Sequence, residues 1–133
     1  MDKIIIEPTE FSPRVVLDAV KSKYEISGES RPENPAKFFQ PILKWLEQYQ
    51  SVLFFQKTNY NNDAQISFEF KLEYFNSTSA KYIFDVIKVL NNYFDSGYNT
   101  KIKWYYDSRD EDMKEAGKEL EKLVKVPFEF VSY

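Results

Sequence analysis

Three consecutive hydroxyl residues, Ser77, Thr78 and Ser79, follow Asn76 at a point where the sequence pattern changes. The residues before them alternate between apolar and polar, as in a strand, and those after them follow a helical spacing. Asparagine and hydroxyl residues are preferred caps of helix N-termini, and a serine or threonine hydroxyl is also a group that protein kinases phosphorylate. The pattern by itself leaves both interpretations open: a structural cap or a regulatory site.

The start of a helix is a favourable place for a phosphate. The first backbone N–H groups of a helix have no partner within it, and the helix dipole places partial positive charge there. A phosphate on Ser77 adds a charge of about −1.5 to −2 at pH 7 without opposing its own helix. Asn76 and Ser79 belong to the same turn, and Lys81 lies one turn later, where it can face the phosphate.

The other reactive residues do not predict an enzyme. The chain contains no cysteine and no histidine, which excludes thiol nucleophiles, zinc sites with their usual ligands and acid–base catalysis by histidine. The acidic segment "DSRDEDM", residues 107–113, suggests Mg²⁺ binding, but Ser108 and Glu111 have capping-box spacing, and acids suit the first turn of a helix. In "GESRPEN", Arg31 and Glu33 are interpreted as surface or turn residues. We therefore expect no catalytic residue, no metal site and no cofactor.

Composition predicts one folded domain spanning residues 1–133. Hydrophobic residues make up 43% of the chain and aromatic residues 18%, which is enough for a core. The net charge is −3 and no basic block is present, so nucleic-acid binding through phosphates is disfavoured. The apolar run at residues 4–6 is too short for a membrane span or a signal peptide. We expect no membrane association and a cytoplasmic location.

The order of predicted elements is three strands followed by three helix–strand pairs. The strands are expected near residues 4–6, 14–17, 23–27, 65–75, 101–106 and in the closing "VPFEFVSY". The first helix has Asn34 as N-cap and Pro35 at its first position, continues to Phe55, and is ended by "TNYNND", residues 58–63. The second helix follows Asn76, and the third begins near Asp110. This alternation predicts an α/β domain, a mixed sheet with parallel crossovers and one layer of helices.

The strand at residues 65–75 predicts which face of the sheet is covered. One set of side chains is apolar and is expected to lie beneath the helices: Ile66, Phe68, Phe70, Leu72 and Tyr74. The alternate set is polar and points to the opposite face: Ser67, Glu69, Lys71 and Glu73. The three charged residues of this set are expected to remain solvated. A strand covered on both faces would not carry three charged residues on alternate positions, so one face of the sheet is predicted to be open.

The helix after Asn76 carries two apolar stripes. The first is expected to face the sheet and consists of Ala80, Ile83, Phe84, Ile87, Leu90 and Phe94. The second consists of Tyr82, Val86, Val89 and Tyr93. Two interpretations of the second stripe remain open: it packs against a neighbouring helix, or it is exposed and docks a partner through Tyr82, Val86 and Val89.

Three segments together carry a resemblance to a known family: "SGESRPEN", the turn "LEYFNSTSAK" and "KWYYDSRDEDM". They resemble the SiaC family of bacterial regulatory phosphoproteins, and the resemblance extends over nearly the whole chain. The order of elements is also similar to STAS domains, the fold of anti-sigma-factor antagonists. The resemblance therefore implies a two-layer, STAS-like domain.

The resemblance also implies a function. In the family, a hydroxyl residue after an Asn is phosphorylated by a dedicated Ser/Thr kinase and restored by a PP2C-type phosphatase. The unphosphorylated form binds and activates a diguanylate cyclase, which links the switch to cyclic-di-GMP signalling. On this chain the Asn is Asn76 and the acceptor is Ser77, with Thr78 as second choice because the family site is often threonine. The alternative function is a STAS-like module that binds a small ligand or serves as a scaffold without phosphoregulation.

Overall fold

A computed structural model of the chain describes residues 1–61 and 64–133. Its elements occur in the predicted order. They are β1 (Ile4–Ile6), β2 (Arg14–Asp18), β3 (Lys23–Ser30), α1 (Pro35–Tyr60), β4 (Gln65–Phe75), α2 (Ser77–Asp95), β5 (Asn99–Tyr106), α3 (Glu111–Glu121) and β6 (Phe128–Ser132).

The strands form one six-stranded sheet in the order β1-β2-β3-β4-β5-β6, so spatial order follows chain order. The first three strands pair antiparallel, and β3, β4, β5 and β6 pair parallel. Parallel neighbours are joined by crossovers, which are right-handed in nearly all proteins. All three crossovers advance toward the same edge, so α1, α2 and α3 lie on one face. The predicted mixed sheet with one helical layer is confirmed.

Aromatic side chains fill much of the space between the sheet and the helices. Trp104 of β5 is fully buried, with its ring centroid 5.6 Å from that of Phe70 on β4. Toward the other side of the core, Tyr24 of β3 stacks on Phe68 and its hydroxyl bonds that of Tyr49 on α1 at 3.2 Å. Large aromatic residues bury much area each, which gives a chain of this length a continuous core.

Strand β4 shows the predicted alternation until its last residues. The first four inward side chains, Ile66, Phe68, Phe70 and Leu72, are at most 2% exposed. The prediction for Tyr74 is wrong, because Tyr74 is 49% exposed. Its position changes because Gly28 pairs with Leu72 and Glu29 with Tyr74, which leaves one extra residue on β4. Such a bulge reverses the side-chain alternation beyond it.

Residues on both sides of the bulge show how it changes the direction of the side chains at the end of β4. Gly28 has a φ of 101°, a left-handed conformation that glycine adopts without strain, at the point where the register shifts. Beyond the extra residue, Phe75 takes the inward position that Tyr74 vacates and meets Trp104 edge-on, with 6.3 Å between ring centroids. The last residue of β4 is thereby anchored in the core immediately before α2.

Helix α1 is longer than predicted. It ends at Tyr60 instead of Phe55 and so includes the first half of the polar segment 58–63, whose residues 62 and 63 lie outside the described residues. Asn61 ends the helix with a φ of 50°, and its N–H donates to the carbonyl of Gln56. Asparagine tolerates this left-handed conformation, so a single Asn cap, and not the onset of polar composition, ends the helix.

The face of the sheet opposite the helices carries paired charges. Lys71 and Glu73 are exposed, as predicted. Glu69 is partly covered, because the Lys23 ammonium donates to its carboxylate and the Tyr105 hydroxyl donates at 3.1 Å. The hydrogen bond to Glu69 raises the pKa of Lys23, although partial burial opposes that change. Neighbouring strands thus satisfy each other's charges across the open face.

A helical glycine allows α3 to approach the sheet closely. A Cβ atom at Gly117 would lie 2.5 Å from the indole ring of Trp104 and 2.8 Å from the ring of Phe130. The indole cannot move aside easily, because its N–H donates to the Met113 carbonyl at 2.9 Å. Gly117 is therefore required for contact between this helix and the sheet.

We predict that Gly117→Ala destabilises the protein. Alanine normally favours a helix over glycine, but here its methyl group would force Trp104 from a packed position, at a net cost of about 1–3 kcal/mol. Urea denaturation would measure the free energy of unfolding. The matched control is Glu115→Ala at an exposed position of the same helix, which should change stability by less than about 0.5 kcal/mol. A Gly117→Ala variant more stable than the parent would contradict the packing described.

We also predict an acid-side dependence of stability that involves Glu25. Desolvation alone would raise the pKa of this carboxyl, but hydrogen bonds from Ser27 and Lys23 outweigh it and hold the pKa below the ordinary 4.5. The contribution of Glu25 to stability is therefore present above about pH 4.5 and is lost as the pH falls through its folded-state pKa. The loss should be under about 1 kcal/mol, because the pair lies at the surface.

Urea unfolding of the parent and of Glu25→Gln at several pH values between about 6 and 3 would test this dependence. The parent should lose more stability than the variant as the pH falls. The exposed substitution Glu10→Gln is the matched control. Parallel curves for the parent and Glu25→Gln would refute the prediction.

Candidate functional site

The candidate site is the junction between β4 and α2. Asn76 is the N-cap, with an extended backbone (φ −86°, ψ 174°), and its side-chain oxygen accepts the Ser79 N–H at 2.9 Å. Its carbonyl accepts the Ala80 N–H at 3.0 Å, the first bond of the helix ladder. The helix therefore begins at Ser77, as the change of pattern across Asn76 predicts.

The three hydroxyl residues have different environments. Ser77 and Thr78 are exposed, whereas Ser79 is fully buried. Successive helical residues point about 100° apart, so only the third side chain of this turn faces the interior. In the folded protein a modifying enzyme can reach the hydroxyls of Ser77 and Thr78 but not that of Ser79.

The buried Ser79 contacts strand β3. No residue of this strand was among the predicted site residues. The Ser79 Oγ lies 2.9 Å from the Oγ of Ser30, which is also fully buried. The Ser30 carbonyl accepts the Asn76 N–H at 3.2 Å. The segment "SGESRPEN" that supported the family resemblance contains Ser30, and this was the only signal in the sequence that could have identified it.

The residues after Ser30 also have structural partners. The Arg31 N–H donates to the Phe11 carbonyl at 2.8 Å, and its guanidinium lies 4.5 Å from the centre of the Phe11 ring. Its Nε donates to the Glu29 carboxylate at 3.2 Å. Asn34 caps α1 by accepting the Lys37 N–H at 3.1 Å, as predicted. Because β3 and β4 are parallel, the first turns of α1 and α2 lie at the same end of the sheet, where these two strands end.

Lys81 is the positively charged residue one turn after Ser77. Its side chain is exposed, and its ammonium lies 4.6 Å from the centre of the neighbouring Tyr82 ring. Tyr82 is half-buried, because its other contact is a parallel stack on Phe39 of α1, with 5.5 Å between centroids. The cation and the ring form an accessible surface next to the exposed hydroxyls.

The rest of the second apolar stripe packs against α1. Val86 is fully buried and Val89 is 8% exposed, so the prediction that these two residues dock a partner is wrong. Tyr93 donates its hydroxyl to the Leu46 carbonyl of α1, and burial raises the pKa of Tyr93 above its ordinary value. The alternative interpretation, helix–helix packing, accounts for this stripe, and of the predicted partner residues only Tyr82 remains accessible.

The first stripe follows the prediction in its central part. Ile83, Ile87 and Leu90 are fully buried in the core. Phe94 is 38% exposed, because it lies in the last turn of α2. Ala80 and Phe84 of the same stripe are only partly buried. The hydrophobic periodicity therefore identified the covered face at Ile83, Ile87 and Leu90 and overestimated burial at Ala80, Phe84 and Phe94.

The acidic segment at residues 107–113 has a structural role. Arg109 donates to Asp107 through its backbone N–H at 2.9 Å and through two guanidinium nitrogens, which lowers the pKa of Asp107 to about 2. The predicted cap is wrong: Asp110, not Ser108, caps α3 by accepting the Met113 N–H at 3.0 Å. Within residues 1–61 and 64–133, no group of three or more acidic side chains could hold a metal ion.

A family model decides the classification of the chain. The model of the SiaC family of regulatory phosphoproteins matches residues 6–133. The chain belongs to the SiaC family. It is therefore a regulatory phosphoprotein, which confirms both the resemblance and the predicted regulatory class of function.

Individual relatives of this SiaC-family protein are distant in sequence but similar in length. An uncharacterised protein of Pseudomonas aeruginosa strain UCBPP-PA14 is 23% identical over 128 residues, which cover 96% of this chain and 94% of that protein. The crystal structure of apo-SiaC from Pseudomonas aeruginosa matches with a TM-score of 0.84 at 22% identity, covering 98% of this chain and 99% of that chain. This likeness establishes a shared fold.

The same fold also occurs in a complex. A chain in the crystal structure of diguanylate cyclase SiaD with its activator SiaC, from Pseudomonas aeruginosa, matches with a TM-score of 0.84 at 22% identity, again covering 98% and 99% of the two chains.

For the part of this chain that the structure describes, no helix is both long and apolar enough to cross a membrane.

We predict that Asn76→Ala weakens the start of α2. The substitution removes the oxygen that accepts the Ser79 N–H and should lower the free energy of unfolding by about 1 kcal/mol. Asn76→Asp keeps the acceptor and adds a negative charge at the positive end of the helix, so it should retain parent stability. Chemical denaturation measures both variants, with the exposed Ser77→Ala as control. Equal losses for Asn76→Ala and Asn76→Asp would contradict the capping role.

Proposed function

We propose that this protein is a non-catalytic partner switch whose unphosphorylated form binds and activates a diguanylate cyclase, with Ser77 as the phosphoacceptor. Its family supplies the regulatory class, and SiaC, whose fold it shares, activates the cyclase SiaD in Pseudomonas aeruginosa. The observation that carries the assignment of the site is the exposed Ser77 hydroxyl at the first position of α2. The proposal places the switch in the cytoplasm, which supplies nucleoside triphosphates.

Two modifying enzymes would set the state of the switch. A Ser/Thr kinase would transfer the γ-phosphoryl group of a nucleoside triphosphate to the Ser77 oxygen, which loses its proton as the bond to the diphosphate breaks. A PP2C-type phosphatase would hydrolyse the ester and restore the hydroxyl, releasing inorganic phosphate. Both enzymes need an accessible side chain, and Ser77 and Thr78 meet that requirement where Ser79 does not.

The phosphate would change binding without unfolding the protein. At the start of α2 it would lie near N–H groups that have no partner within the helix, in the favourable field of the helix dipole. Lys81 on the next turn adds a positive charge on the same side. The modification should therefore leave the fold intact while it adds about −1.5 to −2 charge to an exposed surface.

Partner binding would respond strongly to that charge. We place the contact around Ser77, Lys81 and the accessible part of Tyr82, because these lie together at the start of α2. A hydroxyl can enter such a contact at modest cost if it finds one hydrogen bond. A phosphate in the same place would lose hydration, with a penalty of several kcal/mol unless the partner supplies a cation.

Ser77 is preferred to Thr78 because it directly follows the capping Asn76, as the family pattern requires. Both side chains are exposed, so geometry alone permits either. Intact-mass analysis of protein purified from its native host, followed by peptide mapping, distinguishes them. We expect a fraction heavier by one phosphoryl group, with the modification on Ser77.

We predict that Ser77→Asp abolishes partner binding while keeping the melting temperature close to that of the parent. A carboxylate imitates part of the phosphate charge, and the loss in affinity for the cognate cyclase should be at least about a hundredfold. Calorimetry with the diguanylate cyclases of the host, purified singly, measures binding, and cyclic-di-GMP production measures activation. Ser77→Ala is the matched control and should bind and activate as the parent does.

The other outcomes discriminate between the functions. A Ser77→Asp variant that binds as tightly as the parent would overturn the switch at this residue. If Thr78→Asp alone blocks binding, the acceptor is Thr78. If both variants bind normally and the native protein carries no phosphate, the small-ligand or scaffold function becomes the better interpretation.

A further inference from the structure

A pair of buried serine hydroxyls lies directly beneath the exposed residues of the candidate switch. The Oγ atoms of Ser30 and Ser79 are 2.9 Å apart, and both residues are fully buried. A buried hydroxyl loses its bonds to water and costs free energy unless it finds a partner in the protein. Each serine is the partner of the other, although β3 and α2 are distant along the chain.

The pair completes a closed set of contacts around the start of α2. The Asn76 N–H donates to the Ser30 carbonyl at 3.2 Å, and the Asn76 side chain accepts the Ser79 N–H at 2.9 Å. The hydroxyl pair then returns from Ser79 to Ser30. Ser77 and Thr78 are the two residues between the fixed points, so the backbone that carries them is held against the end of β3.

Packing alone does not account for hydroxyls at these two positions. Apolar residues lie before and after them on the covered face: Ile26, four residues before Ser30 on β3, is fully buried, and so is Ile83, one turn beyond Ser79 on α2. Apolar side chains at positions 30 and 79 would avoid the cost of removing two hydroxyls from water. What the hydroxyl pair adds is direction, since a hydrogen bond fixes the relative orientation of two elements more narrowly than apolar contact.

We propose that Ser30 and Ser79 are positioning residues of the switch. Their bond orients the first turn of α2 so that the Ser77 side chain, and a phosphate on it, is directed toward the first N–H groups of that turn, which have no partner within the helix. This inference rests on the proposed function for the biological meaning of Ser77. The geometry itself can be tested on the isolated protein, without a kinase or a partner.

The substitutions separate positioning from stability. Ser30→Ala or Ser79→Ala alone leaves one buried hydroxyl without its partner and should lower the melting temperature by several degrees. The double variant Ser30→Ala/Ser79→Ala removes both hydroxyls, so no polar group is stranded and the melting temperature should return close to that of the parent. If the serine pair serves stability alone, the double variant should match the parent both in melting temperature and in the titration of a phosphate at residue 77.

The experiment measures a phosphate held at position 77. Phosphoserine is incorporated at residue 77 during synthesis, and its second ionisation, near pH ~6, is followed by ³¹P NMR. In the parent we expect this pKa to lie about half a unit below that of phosphoserine in a peptide of residues 74–80, because the helix start favours the dianion. In the double variant the pKa should return toward the peptide value. Ser51→Ala, an exposed change of the same type on α1, is the control and should leave the titration unchanged.

Each result decides the inference. A double variant with parent stability and an unchanged phosphate titration would overturn it, and so would a parent phosphate that titrates like the peptide. If the double variant does not fold, Ser30→Ala alone carries the same readout, with the same expected return of the pKa. Failure of Ser77→Asp to block the cyclase would refute the proposed switch but would leave this titration unaffected, so the two failures are distinguishable.

Discussion

The accessibility of the candidate site depends on a few hydrogen bonds that join the end of β3 to the start of α2. Within the sheet, the parallel pair β3–β4 is held by ladder bonds, and the last of these contacts goes from the Asn76 N–H to the Ser30 carbonyl. The same Asn76 then caps the helix. One residue therefore ends the strand pairing and begins the helix. This places Ser77 at the end of β4, with its side chain in solvent. The Ser77 hydroxyl is exposed because the strand pairing fixes where the helix begins, and not because the residue is a serine.

Periodicity predicted most of the fold because the covered face of each element repeats over several turns or residue pairs. The order of elements, the covered face of β4 and the first residue of α2 all follow from such patterns. Tyr74 was placed wrongly because the bulge that turns it outward arises where β4 meets Gly28 of β3. An alternating pattern contains no information about an extra residue that a neighbouring strand imposes. The cap Asn61 after α1 was missed for a similar reason. The sequence becomes polar at residue 58, but the helical backbone continues to Tyr60.

The site was predicted in part. The cap, the exposed Ser77 and the neighbouring Lys81 are local features, and local sequence identifies them. Ser30 was missed because its partner Ser79 is distant along the chain. Val86 and Val89 were assigned to a partner because a second apolar stripe has the same sequence whether it meets a helix of its own chain or of another. Only the position of α1, set by its crossover between β3 and β4, decides between the two.

The agreement between strand order and chain order has a consequence for how the molecule is made. Each strand that leaves the ribosome can join an edge that already exists, and no strand has to separate two that are paired. The hydrogen bonds between β3 and α2 involve residues that precede β5, α3 and β6. They can form while the rest of the chain is still being synthesised. A nascent chain can therefore form the candidate site before its last strand exists.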